Sequence, residues 1–441
     1  MVSVSRHFNV AVVGGGLGGL AAAALLARRG LKVVLIEQKR RLGGRAASDV
    51  RNGFIFNQGA HALYLGGPAA KLLRELGVRL DGGYPSSGAW ALSKRRLEVI
   101  PAGFFSLFRT KMLTWRAKLD VANLLAKVSS IDSKQLHAVS WSDWISTVSS
   151  QPDGKGFLVA LSRLTTYCNA PETLSAAAVL EQLKLVFNGG VRYLDGGWQT
   201  LVDGLCRLCE ELGVEMIVGV AARSLHGKGC VEGLELSDGT SIAADAVLAV
   251  GSPALVKSIA GNRSSYARGL QGKLTPVRAA CLDIALKRLP EPRCTFVLDV
   301  DAPRYFSVHS QCARLAPQGC ALIHVLHYLS PGTRGEASEV REGLEALVDI
   351  AQPHWRDQLA DLRFLPEMTV SCGYPDFRLG GLAGRPSVTL PDLDHFYIAG
   401  DWVGKKGMLL DATMHSVTQA VEKILSTERF VSKPVPCTMS V

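Results

Sequence analysis

No uninterrupted apolar stretch of about 18 residues or more occurs in this chain, so a membrane-spanning helix is not expected. The most apolar run, 10–27, is broken by five glycines. No cleavable leader is expected either, because the opening MVSVSRHF runs straight into a strand that the following motif needs. No Pro- or Ser-rich linker divides the 441 residues, which suits a chain that leaves and re-enters one domain. Charged residues make up 20% with no long block of one sign, so a tail is expected only at 431–441. The net charge of +10 is spread along the chain without a nucleic-acid module, and no nucleic-acid partner is expected. Ten cysteines are scattered rather than framed as a secreted disulfide scaffold, which points to a reducing, cytoplasmic compartment. Cys206 and Cys209 make a C-x-x-C, but no second pair has ligand spacing. Both lie on the helix TLVDGLCRLCEEL beside Leu205 and Leu208, where free cysteine packs as a small hydrophobe, so no metal is expected.

What is present begins at VAVVGGGLGGLAAAALLARRGLKVVLIE, residues 10–37. An apolar strand ends at Gly14, Gly16 and Gly19, spaced G-x-G-x-x-G, and Leu17 and Gly18 open an alanine- and leucine-rich helix. A second apolar strand delivers Glu37. The first glycine permits the tight turn, the second lets a pyrophosphate approach the backbone, and the third allows close helix packing. The helix amino terminus supplies oriented N–H donors to the phosphates, and Glu37 is placed to accept from ribose hydroxyls. Together these parts predict a dinucleotide-binding βαβ unit.

Beyond the second strand, QKRRLGGRAAS places Gly43, Gly44 and Arg45, which a nicotinamide-binding unit does not require. The pattern from Glu37 to Arg45 resembles the flavin signature of the amine oxidase and phytoene desaturase superfamily, and FNQGAHALY, with Gly59, Ala60 and His61, resembles its next flavin-contacting loop. YLDGGWQTLVDGLCRLCEELGVEM is similar to the element that re-enters the flavin domain. HFYIAGDWVGKKGMLLDATMHSVTQAVEKIL is similar to the closing motif. The resemblance implies noncovalent FAD, a glutathione-reductase-type Rossmann-like α/β domain, and an inserted mixed α+β substrate domain. It implies that Arg45 and Gly44 lie against the pyrophosphate, that Ala222 holds the place of a valine packed on the adenine, and that Gly400-Asp401 reach the ribityl chain. The backbone at Leu409 and Leu410 would face the pyrimidine edge. Ser416-Val417 stands where the family has Ser-Gly.

The expected FAD domain comprises 5–90, 191–262 and 391–430, and the substrate domain 91–190 and 263–390. AACLDIALKRL, CALIHVLHYL and YFSVHSQCARLAP read as strands of the second domain, REGLEALVDIAQ as a helix, and VEGLELSDGTSIAADAVLAVGSP as a hairpin turned at Asp238-Gly239. No second G-x-G-x-x-G follows a convincing strand, so a separate nicotinamide domain is not expected. Electrons would pass between the substrate and dioxygen, a quinone or another carrier, or a small diffusible donor. His61 is the candidate general base on the family analogy, since an ordinary imidazole exchanges protons near neutrality. Its alternative role is to pack or hydrogen-bond at the flavin edge. His309, His324 and His327 read as ordinary sheet residues.

Residues 93–119 interleave Phe104, Phe105, Leu107, Phe108, Met112, Leu113 and Trp115 with Arg109, Lys111, Arg116 and Lys118. Such a segment could lie in a membrane interface, making this a peripheral membrane protein, or form a lid with solvated charges. Three functions stay open. The first is an FAD oxidoreductase that dehydrogenates, isomerises or saturates carbon–carbon bonds of an apolar, isoprenoid or other lipid substrate. The second is an amine oxidase, whose aromatic cage would draw on Trp402 with Tyr374 or Tyr397. The third is a non-catalytic isoprenoid-binding protein on the same fold, against which the intact Glu37, Arg45 and Asp401 count.

Overall fold

The computed structural model describes residues 7–85, 89–101, 104–227, 230–333, 335–427 and 430. The tail expected at 431–441 lies outside the described residues, as do the side chains of Phe104, Phe105 and Phe108. Two large sheets organise the molecule. In the first, strand His7–Val13 lies between Val33–Glu37 and Ser241–Val250, all parallel, with Glu215–Val218 beyond Val33–Glu37. These strands are nearly all Val, Ile, Leu and Ala because both faces are covered, so no polar alternation is tolerated. The ten-residue strand Ser241–Val250 changes partner along its length. Its first half pairs antiparallel with Gly233–Leu236, which pairs in turn with Ala222–His226; its last four residues pair parallel with Leu393–Ala399. The turn between Gly233–Leu236 and Ser241–Val250 passes through Gly239 at φ 87°. One sheet is thus assembled from stretches far apart in sequence.

Helix Leu17–Arg28 packs against that sheet between helix Gln199–Glu211 and the carboxyl-terminal helix Leu409–Leu425. Cys209 is buried on helix Gln199–Glu211 and its thiol donates to Leu20 O, while Cys206 is half-buried. The approach of helix Leu409–Leu425 is close because of Gly18: a Cβ there would come within 2.6 Å of Thr413 Cγ2. The glycine that permits this packing is therefore Gly18 on the first helix. Ser416 instead hydrogen-bonds both the N–H and the carbonyl of Gly400, tying the helix to the end of strand Leu393–Ala399.

The second sheet runs Leu359–Ser371, Val277–Leu286, Ala321–Leu329, Arg304–Val308, Phe296–Asp299, Ala89–Ser93, Arg96–Val99. Helix Ala337–Ala351 covers one face, packing Leu344 and Leu347 on Ile284 and Val325. The other face packs on helices Trp115–Lys127, Pro152–Thr166 and Ala176–Gly189 and on the loop at Ala60. Strand Ala89–Ser93 straddles the expected border at 90/91 and pairs in parallel with Phe296–Asp299, a partner that no local pattern identifies. Lys94 and Arg95 form the tight turn of its hairpin, both at positive φ, so the helical part of the basic aromatic segment begins only at Phe104–Arg109. His309 does not continue a strand. It begins a single 3-10 turn after Arg304–Val308.

Candidate active site

The glycine turn after His7–Val13 divides its work among its members. Gly14 sits at φ 113°, and a Cβ there would meet Val250 O at 2.2 Å. Gly19 has its Cβ position 1.8 Å from Gly14 O, which leaves no room for a side chain inside the helix. Gly16 is different: its φ of −77° suits any residue, and a Cβ would find only Gly43 O, 4.0 Å away. Gly44 likewise faces open space, with Gly16 Cα 3.7 Å from its Cβ position. Gly43 N–H donates to Gly15 O, so the two glycine loops are held side by side with an open cradle over Gly16 and Gly44.

Charges around that cradle are ordered. Glu37 accepts from Gly15 N–H at 2.6 Å and from Lys39 N–H at 2.8 Å, which fixes its carboxylate at the end of the second strand. Arg45 donates from Nη1 to Asp401 Oδ2 at 2.6 Å and to Val370 O at 2.7 Å. Asp401 is 2% exposed and holds the Arg45 pKa above its usual value, while the Arg45 side chain stays about half exposed along the groove. Ala222 is buried at the start of its strand, close to the backbone of 219–220 that binds Glu37 O. The cradle, the helix amino terminus, the paired Arg45 and Asp401 and the anchored Glu37 fit a pyrophosphate-linked dinucleotide such as FAD.

Further along the groove, two residues escaped the sequence reading. Arg385 is 8% exposed, donates Nη1 to Gly407 O, leaves Nη2 without a partner, and is pushed down to about 10 by burial. Asp411, also buried, accepts from Ala69 N–H. It lies in the first turn of Leu409–Leu425 and against the first turn of helix Pro68–Glu75. Burial nonetheless raises it to about 7. Leu409 itself lies at φ 55°, so the backbone turns sharply where the resemblance places the pyrimidine edge.

His61 is half-buried on the loop after Gly59, which lies at φ 85° under Met368. Its Nδ1 is paired with Gly59 O at 2.9 Å, and its ring packs on Trp198 at 4.6 Å. Burial pushes its pKa down to about 4. The imidazole is therefore neutral at physiological pH and holds a proton weakly, unlike the ordinary histidine assumed from sequence.

Beneath this loop the second sheet presents ordered rows. Leu365, Cys281, Leu326 and Tyr305 stand side by side across four strands. Met368, Ala279 and Tyr328 form the next row on one side. On the other side Arg363, Asp283, His324 and Ser307 form a polar row. Tyr167, whose hydroxyl donates to Ala60 O at 3.4 Å, closes an aromatic group with Tyr305 and Tyr328. Burial raises all three phenols well above their usual range, so they stay neutral. The signal for the polar row was readable as the single acid in the apolar strand AACLDIAL. Cys281, Asp283 and His324 offer ligand atoms within 4.8 Å of one another, but Arg363 donates two hydrogen bonds to Asp283 Oδ2. A fixed cation already occupies the place that a metal's charge would take.

The aromatic residues considered for an amine cage do not converge. Trp402 and Tyr397 are buried in the core of the first sheet, with Trp402 Nε1 donating to Gly251 O, while Tyr374 sits in the core of the second and pairs with Thr173.

Comparison with known proteins bears out the family resemblance. The family described as flavin containing amine oxidoreductase matches residues 17–271. A coproporphyrinogen III oxidase from Propionibacterium freudenreichii subsp. freudenreichii is 37% identical over 24% of this chain and 21% of its own length. A phytoene desaturase from Cercospora nicotianae is 25% identical over 62% of this chain and 50% of its own length. The chain thus spans half or less of these curated relatives. An oxidoreductase structure from Methanosarcina mazei superposes with a TM-score of 0.75 at 20% identity, over 94% of this chain and all of that one, which shows the shared fold.

Proposed function

This chain belongs to the flavin containing amine oxidoreductase family and is an FAD-dependent oxidoreductase, and we propose that it acts on carbon–carbon bonds of an apolar, isoprenoid or other lipid substrate with its FAD held noncovalently. The observation that carries this reading is the wall facing the Gly59–Ala60–His61 loop. It is built from Leu, Met, Ala, Cys and neutral Tyr side chains, and the acid on that face, Asp283, commits both oxygens to His324 and Arg363. An ammonium substrate would need a free carboxylate to balance its charge on this wall. A hydrocarbon gains about 25 cal/mol for each Å² removed from water on such a wall. The relative from Cercospora nicotianae, named for phytoene, is of this substrate class.

When bound, FAD supplies two-electron redox chemistry. The chain's own residues bind, orient and exclude water. Gly16 and Gly44 would leave room for the pyrophosphate and Arg45 would lie against it, Glu37 would accept from ribose hydroxyls and Asp401 would reach the ribityl chain, and the amino terminus of Leu409–Leu425 presents positive potential at the far end of the site. Neutral His61 and Trp198 hold the loop between the cofactor groove and the apolar wall. Trp115 and Leu119, one turn apart and exposed, would touch the lipid surface from which such a substrate comes.

The reading is tested by titrating FAD-loaded protein anaerobically with phytoene in phosphatidylcholine vesicles and, separately, with a primary amine. Perturbation of the visible flavin bands by the isoprenoid alone is expected. A response to the amine alone overturns the assignment.

A further inference from the structure

His324 is fully buried, yet only one of its ring nitrogens has a partner. Its Nδ1 lies 2.5 Å from Asp283 Oδ1, and Asp283 Oδ2 takes hydrogen bonds from Arg363 Nε at 2.8 Å and Nη2 at 2.6 Å. Arg363 also donates to Asn57 O, at the entrance to the His61 loop. Burial alone would raise Asp283, but the imidazole and guanidinium partners outweigh it and hold the carboxyl below its usual range. Asp283 Oδ1 faces Nδ1, which leaves Nε2 as the ring nitrogen without a partner among the described residues. Next to it, His309 stacks on Tyr193 at 3.9 Å and meets the His324 ring edge-on at 4.5 Å. It is 1% exposed and both of its nitrogens lack partners.

Buried imidazole nitrogens without partners are costly, and three of them side by side are not explained by packing. A carboxylate behind an imidazole fixes its orientation and stabilises the imidazolium that forms when the far nitrogen takes a proton. Asp283 and His324 share a sheet face with Cys281 and Leu326, and Cys281 and Met368 lie against Gly59.

We propose that His324 holds the proton that this enzyme exchanges with its substrate, that Asp283 and Arg363 position it, and that His309 is the next group in line. The proposal rests on the carbon–carbon reading above. In dehydrogenating a CH–CH unit, two C–H bonds break and one carbon–carbon π bond forms. FAD, when bound, would supply the two-electron acceptor for one hydrogen with its electron pair, while the other hydrogen leaves as H⁺ and comes to rest on His324 Nε2. Saturation runs the same proton in reverse. Imidazolium at His324 is balanced by Asp283, and Arg363 keeps Asp283 from taking the proton itself.

The test uses FAD-loaded protein labelled with ¹⁵N-histidine. The wild-type spectrum should show one histidine carrying a strongly deshielded Nδ1 proton. That signal should vanish in His324→Gln and shift upfield in Asp283→Asn, with the visible flavin spectrum reporting that each variant is folded. With phytoene as the substrate, His324→Gln should lower kcat on the order of 100-fold while KM moves less than about threefold. Wild-type kcat in His324→Gln, or absence of the deshielded proton in the wild type, overturns the proposal. If no lipid turns over, the carbon–carbon reading fails, and the spectrum decides the Asp283–His324 assignment alone. His309→Phe, which keeps the stack on Tyr193, should leave the deshielded proton in place while lowering kcat; an unchanged kcat removes His309 from the path.

Discussion

Gly16 and Gly19 belong to one motif, yet the structure gives them opposite reasons for being glycine. A Cβ at Gly16 would meet only Gly43 O, at 4.0 Å, and a valine there would extend into the space over the cradle. Gly16→Val is therefore expected to fold with an unchanged thermal midpoint as apoprotein and to lose FAD affinity, measured by fluorescence titration with free FAD. Gly19→Ala drives a methyl into Gly14 O and is expected to cost stability by at least about 1–3 kcal/mol in a denaturant titration. Equal effects of the two on folding would contradict this division. Asp411 gives a second residue-level test. Its folded pKa is raised from 3.8 to about 7, so the folded state binds a proton that the unfolded state releases. The contribution of this group is full below about pH 4 and is lost as pH rises to about 7, by an amount on the order of a few kcal/mol. Asp411→Asn, which still accepts from Ala69 N–H, should match the wild type near pH 4 and exceed its stability above pH 7. Parallel pH profiles for the two would remove the burial argument. The glycines and Glu37 were legible because their spacing encodes their geometry. Asp411 and Arg385 were not, and of the Asp283–His324 pair only the lone acid in AACLDIAL was visible, because each acquires its meaning from partners tens to hundreds of residues away.

At the scale of elements, the βαβ unit and the hairpin at Asp238-Gly239 were readable because their pairing is local or their periodicity unambiguous. Strand Ala89–Ser93 joins a sheet whose neighbouring strand is Phe296–Asp299, and His309 leaves its strand for a turn. Both depend on tertiary contacts that pattern cannot supply. The basic aromatic segment resolves into two helices. On the second, Trp115–Lys127, Ala117, Val121 and Leu124 are buried while Trp115 is 66% and Leu119 54% exposed. The Arg116 guanidinium lies 5.8 Å from the Trp115 ring. An exposed apolar strip flanked by basic groups suits an anionic bilayer surface, each nearby cation contributing about 1 kcal/mol. Vesicle sedimentation should show binding that rises with anionic lipid, falls with salt, and weakens in Trp115→Ala. Binding that ignores both salt and lipid charge would return the segment to a lid with solvated charges.

Across the whole molecule, three separated stretches build the first sheet, and one apolar face of the second sheet packs on helices Trp115–Lys127, Pro152–Thr166 and Ala176–Gly189 and on the loop at Ala60. No helix among the described residues is long and apolar enough to cross a membrane. The family and the cofactor class were legible because their motifs recur at both ends of the chain. An apolar substrate was expected from the family resemblance; which side chains of Val277–Leu286, Ala321–Leu329 and Leu359–Ser371 share a face could not be read from the sequence. The most direct measurement of the central claim follows the visible flavin absorbance anaerobically, with the enzyme first oxidised and then pre-reduced. The account predicts that an isoprenoid such as phytoene bleaches the oxidised form, or that a polyene restores the colour of the reduced form, while primary and secondary amines do neither. Rapid bleaching by an amine, with no response to any lipid in either direction, would contradict it.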